Sequence, residues 1–174
     1  MLQNYNRYKI LKVFLDNSTE SFRLRELCRI IKISPLSVKN YLDEFIKEGL
    51  IIKYEKRKVP FYRALRDNIK FKRCQQLSGI YELYESGLID DLWDKINPQA
   101  IIFYGSYFKG DAIENSDIDL FVIGKEKDID IKKYEKRLGR NIQILYSINF
   151  KNIPKELKNN LINGIVLKGY LTAF

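Results

Sequence analysis

Two aspartates one residue apart, Asp117 and Asp119, and a Gly-Ser pair ten residues upstream, Gly105-Ser106, are the residues of this 174-residue chain whose types and spacing could do chemistry. The aspartates open an apolar run, Leu120 to Ile123, that reads as a strand, and side chains separated by one residue on a strand share a face. No Lys or Arg stands between them, so the two carboxylates repel each other and are costly to bury, and a divalent cation is their natural partner. Gly105-Ser106 ends a buried strand, Ala100 to Tyr104, and offers backbone N–H groups and a hydroxyl of the kind that hold a phosphate. A phosphate site and a cation site therefore come together. The chain has no histidine and two cysteines, Cys28 and Cys74, so the usual zinc sites and every histidine-dependent triad lack a member. Any metal must be held by oxygen.

The elements that must position these residues follow from apolar patterning. Residues 100–124 divide into a buried strand, the Gly-Ser turn, a short helix or loop, and the strand carrying the aspartates. A helix over about Ile129 to Leu138, a strand from Asn141 to Tyr146, a helix from Ile153 to Leu161 and a short apolar segment, Ile165 to Leu167, complete the half. Over roughly residues 97–150 the chain resembles the polymerase β-type nucleotidyltransferase superfamily, whose signature is Gly-Ser, a spacer and Asp-x-Asp. The spacing is that of the minimal members, which include antitoxins that modify a partner toxin with AMP. The resemblance implies an α/β (α+β) fold with a small mixed sheet and metal-assisted transfer of a nucleoside monophosphate from Mg-NTP, with ATP the expected nucleotide, to a hydroxyl acceptor. By the same resemblance Asp117 and Asp119 are catalytic and ligate Mg²⁺, Gly105 and Ser106 hold the β- and γ-phosphates, and Lys109, followed by Gly110, contacts the triphosphate. Family members add a third carboxylate on the strand after the next helix. Here that position is Gln143, whose amide brings no charge and cannot act as a base at neutral pH, so the two-metal site is incomplete. Asp111, Glu114, Asp128 and Asp130 lie in the spacer or before the next helix and read as solvated charge.

The first two-fifths of the chain has a different character. Residues 1–70 carry 16 Lys and Arg against 8 Asp and Glu, whereas residues 71–174 carry 15 against 14. Nearly all of the net charge of +9 is therefore N-terminal, which suits a polyanionic partner. Tyr8, Leu11, Phe14 and Leu15, then Leu24, Leu27 and Ile31, fall at helical spacing. Ser34 as N-cap and Pro35 at the first helical position announce a third helix that buries Val38, Leu42, Phe45 and Ile46 and stops at Gly49. Two strand-like runs follow, Ile51 to Glu55 and Val59 to Ala64, joined by Lys56-Arg57-Lys58. Three helices and a basic hairpin resemble a winged helix-turn-helix. That resemblance makes double-stranded DNA the expected partner, with Ser37, Lys39 and Asn40 at base edges and Lys56, Arg57 and Lys58 on phosphates. Winged helices also serve as protein-interaction modules, and a homodimer is expected of one that reads two half-sites.

The sequence thus divides into a winged helix-turn-helix over residues 1–66, a helical linker over 67–96 in which Tyr81, Leu83, Tyr84 and Trp93 read as packing residues, and a nucleotidyltransferase-like domain over 97–174. At 45 % apolar and 30 % charged the chain is globular in composition, and its longest apolar runs are far below the roughly 20 residues that cross a bilayer. A cytoplasmic location is expected, with no membrane partner. Two functions remain open: a transferase acting on a partner protein or toxin and coupled to DNA binding, or a DNA-binding transcriptional regulator whose nucleotide-binding domain is catalytically weak or inactive.

Overall fold

The structure, a computed structural model, describes residues 5–150 and 153–172. The outermost residues of the two expected domains, 1–4 and 173–174, lie outside the described residues. The chain separates into two units, Met1–Gln75 and Gln76–Phe174.

In the first unit, helices α1 (Asn6–Asp16), α2 (Leu24–Ile31) and α3 (Pro35–Lys47) precede a hairpin of strands β2 (Ile51–Lys56) and β3 (Val59–Ala64), and a short strand β1 (Ser21–Phe22) pairs with β3. α3 begins where the sequence requires, because Ser34 Oγ accepts the Ser37 N–H at 3.2 Å and Pro35 needs no donor there. Its apolar face, Val38, Leu42 and Phe45, closes on Ile10 and Phe14 of α1, Leu27 of α2, and Ile51 and Tyr62 of the hairpin. The hairpin loop is the two residues Arg57 and Lys58, one fewer than the sequence suggests, since Lys56 still pairs with Val59. β1 is too short to show a period of two in the sequence.

The second unit holds most of helix α4 (Ile69–Ser86), then α5 (Leu88–Ile96), β4 (Ala100–Tyr104), α6 (Gly105–Lys109), β5 (Ile118–Ile123), α7 (Lys132–Leu138), β6 (Ile142–Ser147), α8 (Lys155–Ile162) and β7 (Ile165–Gly169). Its sheet has the order β6-β5-β4-β7. β4 is antiparallel to β5 and β7, and β5 is parallel to β6, which gives the mixed sheet and makes α7 the crossover between parallel strands. One face of the sheet, Ile101, Phe103, Leu120 and Val122, packs on Leu83 of α4, on Leu88, Ile89 and Leu92 of α5, and on Tyr134 of α7. The other face, Ile102, Tyr104, Phe121 and Ile123, packs on Phe150, Ile153 and Leu161.

The segment expected to be a helical linker is helical, α4 and α5, and it also supplies core residues to the units it runs through, Leu83 and Trp93 among those expected to pack. Phe71 belongs to the core of the first unit, and Leu83, Leu88, Ile89 and Leu92, all fully buried, form the floor of the second. Their spacing is that of a helix face committed to a core. Among the described residues no helix is long and apolar enough to cross a membrane.

Candidate functional site

The sheet register builds the site. Asp119 lies between Tyr104, the last residue of β4, and Gln143 on β6. Alternation along β5 sends Asp117 and Asp119 to the same face as Phe121 and Ile123. Gly105 follows Tyr104 with φ +82°, a left-handed conformation that side chains rarely adopt, and a Cβ there would stand 2.0 Å from Asp119 Oδ2. The carboxylate therefore rests directly on the glycine backbone, and the Gly-Ser turn and the second aspartate form one structure. Burial, together with the neighbouring charge of Asp117, pushes the Asp119 carboxyl above its usual value. Burial and Asp119 likewise raise the Tyr104 phenol.

Asp117 is held from the other side. Asn141 Nδ2 donates to its Oδ1 at 3.2 Å and Gln143 Nε2 donates to its Oδ2 at 2.5 Å. These two amides, on consecutive same-face positions of the parallel neighbour, orient the carboxylate without neutralising it. The pair Asp117 and Asp119 is thus all oxygen, self-repelling and partly exposed, a donor set that fits Mg²⁺, which takes one or two carboxylates and fills its remaining positions with water and phosphate oxygens. Among the described residues no group of three or more His, Cys, Asp or Glu could hold a metal, so the carboxylate donors here are two. Ser106 and Lys109 are exposed on α6. Asp128 and Asp130 line a separate groove of about 840 Å³ with Ile142, Ile144 and Tyr146.

Two contributors were not among the site residues named from the sequence. Arg140 Nη1 donates to three carbonyls of the loop before Asp117: Ile113 at 2.8 Å, Glu114 at 3.0 Å and Ser116 at 3.1 Å. Its guanidinium also lies 4.7 Å from the ring centroid of Tyr107, on α6. Bonds to backbone carbonyls have no side-chain signature, so pattern alone could not reveal Arg140. Asn141 could have been found, because a parallel partner strand with Gln143 opposite Asp119 places residue 141 opposite Asp117.

In the first unit, Lys39 and Asn40 are exposed on α3, and Lys56, Arg57 and Lys58 are exposed at the hairpin tip. Ser37 differs, for its hydroxyl shares a hydrogen bond of 2.9 Å with Ser34 Oγ at the helix start and is less available than its position suggests. Arg57 and Lys58 both have positive φ, +52° and +61°, the backbone of a two-residue turn that favours Asn-Gly. Behind the tip, Tyr54 and Phe61 stack at 5.8 Å, with Arg63 over Tyr54 and Arg23 over Phe61. These two arginines extend the basic surface beyond the residues named from sequence.

Known proteins match the second unit. Residues 88–171 match the family described as Polymerase beta, Nucleotidyltransferase. A protein of Methanocaldococcus jannaschii named as a candidate protein adenylyltransferase is 36 % identical over 81 residues, which is 43 % of this chain and 54 % of that protein. The chain accordingly spans about half the length of that relative. A crystal structure of a toxin-antitoxin with AMP-PNP is 26 % identical and aligns over 49 % of this chain and 73 % of its own, with a TM-score of 0.39. The Gly105-Ser106 turn, the Asp117 and Asp119 pair and the mixed sheet beneath them all fall within the matched segment, and residues 88–171 constitute a nucleotidyltransferase domain.

Proposed function

We propose that this chain binds Mg-NTP at the Gly105–Asp119 junction, with ATP the expected nucleotide, and transfers a nucleoside monophosphate to a hydroxyl on a partner protein, while its basic N-terminal unit binds double-stranded DNA. The observation that carries the first part is the seating of the Asp119 carboxylate on Gly105 within a nucleotidyltransferase domain. Asp117 and Asp119 hold the cation. The bare backbone at Gly105 lets the Asp119 carboxylate close on the turn, and the Ser106 hydroxyl and the Lys109 ammonium supply donors to the β- and γ-phosphates. Bound Mg²⁺ supplies neutralisation of phosphate charge and polarisation of the reacting phosphoryl group. A protein acceptor is favoured by the name of the archaeal relative. A toxin is one such acceptor.

The DNA-binding part rests on the three helices, the basic hairpin and the charge excess of residues 1–70, an arrangement that suits a winged helix-turn-helix. Lys39 and Asn40 would meet base edges. Lys56, Arg57 and Lys58 would meet phosphates, with Ser37 joined to Ser34, the cap of the helix that carries the readers.

A second reading is favoured by one specific observation: Gln143, the residue level with Asp119, is an amide that spends its N–H on Asp117 and can take no proton from an attacking hydroxyl. On that reading the domain binds nucleotide and the DNA-binding unit carries the output as a transcriptional regulator. Incubation of the protein with Mg²⁺ and α-labelled ATP, GTP, CTP and UTP, with and without cell extract, separates the two. Label on a macromolecule with the native chain, absent when Asp117 and Asp119 are both changed to Asn, supports transfer. Nucleotide binding that depends on both aspartates, without label transfer, supports the regulator.

A further inference from the structure

We propose that Arg140 is a positioning residue that ties the Gly-Ser helix to the aspartate loop, so that a divalent cation and a nucleoside triphosphate bind this chain cooperatively through it. The inference rests on the nucleotide-site reading above and deepens it.

The site has two sides that the ladder of β4 and β5 joins at Tyr104 and Asp119, and between them the chain runs through an irregular loop, residues 110–117. One side is α6, whose Gly105 and Ser106 face the phosphates. The other is Asp117, at the end of the loop. Arg140 touches both. Three loop carbonyls within four residues of Asp117 converge on its Nη1, and its guanidinium carbon lies 4.7 Å from the ring centroid of Tyr107, the residue after Ser106. Tyr107 is itself immobilised. It is 3 % exposed, its ring lies against Gly79 of α4, where a Cβ would come within 2.5 Å of it, and its hydroxyl reaches Glu82 Oε2 at 3.5 Å. The fixed ring thus serves as an anvil for the guanidinium, and the guanidinium as a clasp for the loop.

Asn141, the next residue, continues the same hold. Its carbonyl accepts the Ile118 N–H at 2.9 Å and its side chain donates to Asp117. Residues that orient a ligand from behind in this way commonly change metal affinity by about 10- to 100-fold when lost. Arg140 adds a connection to the phosphate side. Without it Asp117 keeps its amide donors, Asn141 and Gln143, and β4 and β5 still hold Asp119 on Gly105, but the loop that leads into Asp117 loses the contact it shares with α6. Asp117 would then be placed less firmly against the phosphate side, and cation and triphosphate would support each other less.

The test uses the full chain and measures the Kd of a non-hydrolysable ATP analogue by calorimetry, with Mn²⁺ and with no divalent cation. The ratio of the cation-free Kd to the Kd with Mn²⁺ reports the coupling. Arg140→Gln is expected to lower that ratio about tenfold, and Arg140→Lys to recover most of it, because an ammonium offers three donors for the three carbonyls. A merely structural arginine would, when replaced, lower Tm and weaken both affinities alike, leaving the ratio within twofold of the native chain, and that result overturns the proposal. Should Arg140→Gln not fold, the ratio is read in Tyr107→Leu, where the ring is gone and apolar bulk remains; an unchanged ratio there overturns it equally. Asp117→Asn guards the reading beneath. If that variant keeps the native ratio, the nucleotide site itself is misplaced; if it abolishes the ratio while Arg140→Gln does not, the site stands and only the coupling falls.

Discussion

Gly105 and Asp119 lie so close that no side chain can be added at Gly105 unless Asp119 moves. Gly105→Ala would put a methyl group on Asp119 Oδ2 and hold a non-glycine residue at φ +82°, a conformation that costs about 1–2 kcal/mol for an L residue before any clash is counted. The expected outcome is a lower Tm together with loss of the Tm rise expected of the native chain with Mg-ATP. Asp119→Asn should separate these two effects. The native carboxyl titrates above its ordinary value, so its ionised form burdens the fold at neutral pH, and that burden lightens as pH falls through the raised value toward the ordinary one. The amide removes the charge, so Tm without divalent cation should rise relative to the native chain while the Mg-ATP-dependent rise disappears. Thermal melts at neutral pH with and without Mg-ATP check both variants, and a destabilised Asp119→Asn would contradict the cause assigned to the shift. The sequence put Gly105 in a turn at the end of one strand and Asp119 on the next. It could not show their contact, which depends on the register of β4 against β5, nor the two amides on Asp117, which depend on β6 lying parallel to β5.

The hairpin β2–β3 and the helix pair α5–α7 show how elements carry cost and support. Arg57 and Lys58 adopt left-handed backbone at the tip where Asn-Gly would do so with less strain. The double change Arg57→Asn and Lys58→Gly is therefore expected to stabilise the chain by about 1 kcal/mol, read from chemical denaturation, and to weaken duplex DNA binding. α5 and α7 are joined by Asp91, which accepts from the Tyr134 hydroxyl and from Lys133 Nζ at 2.9 Å. The Tyr134 hydrogen bond, then that of Lys133, holds the Asp91 carboxyl down at about 2. A lowered carboxyl adds stability that is complete above its ordinary value near 3.8 and disappears as pH falls from there toward 2. Melts between pH 5 and pH 2 should show this loss in the native chain and a shallower slope in Asp91→Asn. Element existence was plain from sequence wherever a cap or a period marked it, as at Ser34-Pro35. α7 shows the opposite: apolar residues suggest a start near Ile129, whereas the helix begins at Lys132, because Ile129 and Ile131 pack into the core from the loop before it.

For the whole molecule, the division of charge is the property that sequence reported most directly. Residues 1–70 hold almost all of the net +9, so duplex binding by the native chain should fall steeply with salt. Changing Lys56, Arg57 and Lys58 to Ala should flatten the log–log salt dependence by up to about 3, one phosphate contact each, and a slope that does not move would remove the hairpin from the DNA interface. What composition could not show is where one unit stops. A charge change near residue 70 and a helical pattern after it suggested a helical connection over 67–96, and the chain passes between units inside α4, an unbroken helix of 18 residues with the division at Gln75–Gln76. A protease needs several extended residues, and here it would find them in the exposed loop around Lys125 and Lys127 long before it found them between the units. Limited trypsin digestion should therefore nick the molecule within its second half and leave Ile69–Ser86 whole. Any attempt to obtain either half by truncation must cut a helix, strand four backbone N–H or C=O groups at the new end, and supply a cap that the native chain never required.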